Sequence, residues 1–276
     1  MILTTQYVCE WMGRTTAVSL LHLFDQACNL VNQVGDAISL VTPQIGPGPF
    51  AAVLPVSSMQ EIISSASSFR VESESLFINS LEIDIMTADM WQPQPDWRAI
   101  RGHCAIWGKQ QPAIAVWVQQ KRMQRLQGNT AVSRRLHQLE AEIVWAVQNN
   151  QLDRVRYAVE RLAGLGPGLT PAGDDFLMGM MYGLWATRPE EVARFWADVV
   201  VKTAVPRTTT LSAAWLKAAA RGEAVAAWHE LGRWLVRNES EWETAVNAIL
   251  QTGHSSGADA LAGFTAVIGN AQQSLF

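Results

Sequence analysis

The chain has 276 residues, with 21 Lys and Arg against 25 Asp and Glu for a formal charge of −4, and 49% of its residues are apolar. That length and composition suit a folded chain of one large or two modest domains, and the acidic balance supplies no basic field for holding nucleic acid. No run of about twenty apolar residues offers a membrane span, and the N-terminus MILTTQYVCEWMGR lacks the basic start and apolar core of a signal peptide. Three cysteines without a CxxC pair read as buried thiols. The expectation is a cytoplasmic protein with neither a nucleic-acid nor a membrane partner. Twelve scattered tryptophans read as core packing.

In chain order, LLHLFDQACNLV (20–31) fits either a short helix or a strand pair. DAISLVTP, PFAAVLPV, SLFINS and LEIDIMTA are then apolar runs of strand length bounded by Gly, Pro and Ser. Between the first two of these runs, QIGPGPF (44–50) reads as a hairpin or interstrand loop. MWQPQPDW interrupts regular structure, because each proline disfavours helix in the residue before it. We place the domain boundary there, giving a β-rich domain over 1–95 and a helical domain over 96–276.

Beyond it, LHQLEAEIVWAV sets Leu136, Leu139, Ile143, Val144 and Val147 on one helical stripe. QLDRVRYAVERL, FLMGMMYGLWA, EEVARFWADVVVKTA, LSAAWLKAAA, AVAAWHELGRWLV, EWETAVNAIL and ADALAGFTAVIG repeat the pattern. The predicted architecture is α+β, with six to eight helices following the β-rich part.

Two segments share a pattern. GLGPGLTPAGDDFLMG (164–179) and GHSSGADALAG (253–263) align as G-x-D-x-L-x-G, matching Gly173, Asp175, Leu177 and Gly179 with Gly257, Asp259, Leu261 and Gly263. Each reads as a loop entering a helix. Thr170 with Pro171, and Ser256 with Asp259, are capping pairs, which explains one hydroxyl and one acid per copy. The glycine density of the first copy, with Pro167 and Pro171 stiffening it, goes beyond capping. Gly166, Gly168 and Gly173 would expose backbone N–H groups at a helix start, which is a seat for an anion. AVPRTTTLSAAW (204–215) adds the Arg207 fork and the Thr208 hydroxyl at another helix start, or else ordinary N-capping by one threonine with Arg207 solvated. If the two copies are related by pseudo-symmetry, their helix starts meet, bringing His254, Ser255 and Ser256 beside Thr170 and the aspartates. Asp174 and Asp175 could also hold magnesium with a phosphate completing its shell. Neither a P-loop nor a dinucleotide fingerprint is present, GxSxG is absent, and the other histidines lie apart without metal-ligand spacing.

With GLGPGLTPAGDDFLMGM, PRTTTLSAAWLKAAARGE and GHSSGADALAGF, the chain resembles the AllH family, whose members are subunits associated with bacterial oxamate carbamoyltransferase and work beside FdrA-like proteins. The likeness is strongest from about residue 160 onward, with a looser likeness in QACNLV and the Gly-Pro turn. It implies a part in exchanging oxalurate and phosphate for oxamate and carbamoyl phosphate in allantoin breakdown. It carries no settled catalytic residues. Small anions are the ligand class that the residues had already suggested.

Two readings follow. As a catalytic subunit, the chain would bind phosphate or carboxylate with Gly166, Gly168, Thr170, Gly173, Arg207, Thr208, Ser255 and Ser256. His254 would shuttle a proton, and Asp175 and Asp259 would orient His254 or a metal. As a non-catalytic assembly subunit, it would use its glycines for helix packing, its acids as caps, and its β-rich part to bind an FdrA-like partner.

Overall fold

A computed structural model describes residues 1–72, 75–85, 87–103, 111–125, 131–237, 242–253 and 255–271. The fold is mixed α+β, with strands leading and helices following. The chain divides into two compact units, Met1–Pro93 with Ala224–Ala226, and Gln94–Glu223 with Ala227–Phe276.

In the first unit, β1 (Leu3–Thr4), β2 (Val18–Leu23), β3 (Ala27–Asn32), β4 (Ala37–Val41), β5 (Ala51–Val53) and β9 (Asp89–Met90) build a sheet of order β2-β3-β4-β5-β1-β9, and α1 (Gln6–Gly13) lies between β1 and β2 in the chain. A second sheet is the antiparallel meander of β6 (Phe69–Glu72), β7 (Ser75–Ile78) and β8 (Leu81–Asp84). LLHLFDQACNLV resolves as the strand pair. Phe24 N–H closes the turn onto the Ala27 carbonyl at 2.8 Å, and Leu23 pairs with Cys28.

QIGPGPF makes no hairpin, because the strands it joins are parallel neighbours, with Ser39 opposite Ala51. The turn carries the chain back across the sheet through Gly46, whose φ of 76° lies in the left-handed region that suits glycine. Helix α1 was not foreseen. It buries Val8, Trp11 and Met12 in the core formed by Cys28, Leu30, Ile38, Leu40, Leu76 and Ile78.

The second unit holds α2 (Trp97–Gly102), α3 (Gln111–Arg125), α4 (Ala131–Gln148), α5 (Leu152–Leu162), α6 (Ala172–Thr187), α7 (Glu190–Ala204), α8 (Thr210–Ala220), α9 (Ala226–Arg237, its first residue in the other unit), α10 (Trp242–Leu250) and α11 (Ser256–Ala271). Asp96 caps α2 by accepting the Ala99 N–H at 2.9 Å, so the helix starts immediately after the prolines. The stripe Leu136, Leu139, Ile143, Val144 and Val147 of α4 is buried as its spacing requires. Nearly every residue of α6 is buried, which accounts for an apolar run without an exposed polar face.

Helices α6 and α11 run side by side in the same direction, with backbone against backbone. A Cβ on Gly179 would collide with the Ala260 carbonyl oxygen, and one on Gly263 with the Phe176 carbonyl oxygen. Phe176 and Ala260 are equivalent positions in the alignment of the two copies. The repeat is therefore a structural one, each helix seating its glycine on the same carbonyl of the other.

Candidate functional site

The same glycine logic fixes where the two helices begin. Gly173 sits against the Leu162 carbonyl at the end of α5, and Gly257 against the Ile249 carbonyl in the last turn of α10. Both starts are thereby pressed onto the end of the preceding described helix, and they meet. Thr170 Oγ1 and Ser256 Oγ are 2.7 Å apart. Thr170 does not act as a cap, since Pro171 holds the N-cap position without a side-chain hydrogen bond. Its hydroxyl joins the two copies instead.

Asp175 lies beneath this pair. Its Oδ2 is buried and has no hydrogen-bond partner. Burial pushes the Asp175 carboxyl well above the usual carboxylate range; the charges of Asp259 and Asp174 push the same way, while the nearby Ser256 and Thr170 hydroxyls oppose. Asp259, its counterpart in the other copy, is treated differently. Its Oδ1 accepts from Arg122 Nε at 2.6 Å, and Arg122 also donates to both oxygens of Glu140 at 2.6 and 3.1 Å. Burial raises the Asp259 carboxyl, with the Arg122 charge opposing. Two equivalent acids thus stand in contrasting surroundings, one paired with a buried guanidinium and one with no ion pair among the described residues.

Asp174 ties the neighbouring loops together. It accepts from the Thr208 hydroxyl and from the Gly164 N–H, and burial raises its carboxyl against those hydrogen bonds. Thr209 caps α8 by accepting the Ser212 N–H at 3.1 Å, and its own hydroxyl donates to the Leu169 carbonyl at 2.6 Å. Three segments singled out in the sequence, 164–175, 207–212 and 255–259, therefore converge.

The remaining candidates fall in different places. Gly166, with φ 122°, leaves no room for a Cβ beside the Ala172 nitrogen, whereas Gly168, with φ 100°, is exposed and faces open space. Gly173 donates its N–H to the Leu165 carbonyl at 2.9 Å. Arg207 is turned to Glu160 at 3.1 Å and to the Thr203 carbonyl at 2.8 Å. Ser255 accepts the Ala258 and Asp259 N–H groups at its carbonyl, half-buried at the start of α11. His254 lies outside the described residues. The first-turn amides of Asp174 and Asp175 go to the Pro171 carbonyl. What the meeting point offers a ligand is hydroxyls and an unpartnered carboxyl oxygen, together with the positive ends of two helix dipoles.

Among the described residues, no group of three or more His, Cys, Asp and Glu side chains could hold a metal ion. Sequence reasoning missed Arg122 and Glu140. Glu140 carried a signal, because it lies between Leu136 and Ile143 on the buried stripe of α4, where a charge needs a partner. Arg122 sits in the run KRMQR and had nothing to mark it.

Among the described residues, no helix is long and apolar enough to cross a membrane. No curated protein and no solved structure matches the chain. Residues 162–268 match the family model described as oxamate carbamoyltransferase subunit AllH, a span that contains both glycine-aspartate helices and the α8 start between them.

Proposed function

We propose that the chain is a subunit of a carbamoyltransferase assembly and binds a small anion, a phosphate or carboxylate group, where α6 and α11 begin. The observation that carries this reading is the unpartnered Asp175 Oδ2 beside the hydroxyl pair of Thr170 and Ser256. An ionised Asp175 would repel an anion. Burial raises the Asp175 carboxyl and so favours its protonated form, which would donate a hydrogen bond to the anion as the two hydroxyls do.

Carbamoyl transfer requires a nucleophile to add to the carbamoyl carbon and a leaving group to depart. The needs are positioning, stabilisation of the developing oxyanion and a proton for the leaving oxygen. Thr170, Ser256 and the two helix dipoles supply the first two, and the Asp175 proton supplies the third. Asp259 is held by Arg122 and serves position. Oxamate, oxalurate and carbamoyl phosphate are the substrates that the resemblance implies, with FdrA-like and other carbamoyltransferase subunits as partners.

One observation favours the second reading, a non-catalytic assembly subunit. Gly173, Gly179, Gly257 and Gly263 are all required by helix packing, which leaves less for a ligand to explain. Calorimetry separates the two. Wild-type chain titrated with carbamoyl phosphate is expected to bind saturably, with affinity falling as pH rises through the Asp175 pKa. Asp175→Asn is expected to bind without that pH step and to be inactive in the reconstituted assembly. Absence of binding, with full activity of Asp175→Ala in the assembly, would establish the assembly role instead.

A further inference from the structure

The second unit carries an open cleft of about 550 Å³ between α3 and the start of α10. That volume suits a small molecule. Ala113, Val116, Trp117 and Gln120 reach it from α3, and their spacing of three and four residues puts them on one face of the helix. Trp242 and Glu243, at the start of α10, line it from the other side. The two indoles meet edge to face, with ring centres 5.7 Å apart and planes at 85°. They make two walls of a right-angled corner, and both side chains are half-buried at the surface rather than packed away in the core.

The lining of this cleft favours positive charge. Glu243 is exposed and makes no ion pair among the described residues, so its carboxylate stands unneutralised beside the aromatic corner. Indole faces carry the negative part of the ring quadrupole and attract cations. Trp117 already does so, since Lys121 Nζ lies 5.8 Å from its ring centre without lining the cleft. A primary ammonium has three N–H donors to satisfy, and the lining side chains offer it acceptors only at Glu243 and Gln120. A fully methylated ammonium has no N–H donor to satisfy. Its charge is spread over methyl groups, which pack against the two indoles, Ala113 and Val116.

We propose that this cleft binds a small quaternary ammonium compound, its cationic head in the corner of Trp117 and Trp242 and its charge offset by Glu243. The site is separate from the anion seat at Thr170 and Ser256, and does not rest on it.

The full chain is titrated with choline, with its uncharged carbon isostere 3,3-dimethyl-1-butanol and with ethanolamine, each followed by saturation-transfer NMR of the ligand protons. Saturable binding of choline is expected, with the isostere and ethanolamine each weaker by about fivefold, which corresponds to about 1 kcal/mol. Trp117→Leu, which keeps apolar bulk but removes the ring, is expected to weaken choline by a similar factor. Glu243→Gln, a nearly isosteric change at an exposed position, is expected to weaken it by about twofold to fivefold. Thr170→Val is expected to leave choline binding unchanged. No saturable choline binding, isostere or ethanolamine binding as tightly as choline, or a choline affinity unchanged by either Trp117→Leu or Glu243→Gln would overturn the proposal.

Discussion

Thr170 and Ser256, 86 residues apart in the chain, share a hydrogen bond of 2.7 Å at the point where two pseudo-equivalent helices begin. Neither hydroxyl is needed to cap its own helix at that contact, so their interaction belongs to the pairing of the two copies. Thr170→Val and Ser256→Ala are each expected to cost about 1 kcal/mol in chemical denaturation, and the double variant less than the sum. Strict additivity would show that the two hydroxyls do not act on each other.

Asp175 gives the pH dependence a sign. Its folded carboxyl is raised above the unfolded value of 3.8, so the stability this group contributes is present below that pH and is lost as pH rises through the folded pKa. Asp174 and Asp259 shift in the same direction. Asp175→Asn is expected to flatten the decline in stability above pH 4 and to be at least as stable as wild type at neutral pH. A steeper decline in the variant, in urea melts across that range, would mean that the ionised carboxylate is favoured by the fold.

Gly179 and Gly263 test the helix pairing. Adding a methyl group at either position drives it into a carbonyl of the opposite helix, so Gly179→Ala and Gly263→Ala are each expected to destabilise by about 1–3 kcal/mol or more. Gly13→Ala, where nothing lies within 4 Å, is expected to be neutral or slightly stabilising. Equal responses at all three positions would show that α6 and α11 are not in backbone contact.

Arg122 holds two buried carboxylates. Arg122→Met leaves Glu140 and Asp259 without a cation and is expected to cost about 3–5 kcal/mol, whereas replacing all three by apolar residues is expected to cost less than the single change. The comparison is made by denaturant titration of both variants. A milder effect of the single substitution would place these acids in contact with solvent.

The helices were legible because α4 and α5 carry apolar stripes at helical spacing, and the convergence of the loops was legible because the two copies share glycines and acids in register. Helix α1 was not, since QYVCEWMG is short and the burial of Trp11 and Met12 depends on strands far along the chain. The ambiguity of LLHLFDQACNLV was settled by the turn from Phe24 to Ala27, whose residues FDQA carry no Gly, Pro or Asn to announce it. QIGPGPF left hairpin and interstrand loop both open because a Gly-Pro turn looks alike whether it joins antiparallel or parallel strands, and the parallel pairing of β4 and β5 selects the loop. In the site, glycine allowed two readings, exposed backbone for an anion and close helix packing, and the choice between them is a property of the neighbour as much as of the residue. Arg122 was invisible for the same reason, because only its partners on α4 and α11 distinguish it from Lys121.

The most direct measurement is a crystal structure of the chain soaked with carbamoyl phosphate. Density for a phosphate group within hydrogen-bond reach of Thr170 Oγ1, Ser256 Oγ and Asp175 Oδ2 is the expected result. A fully occupied ligand elsewhere in the chain, with those three atoms unchanged, would contradict an anion seat at the meeting of α6 and α11.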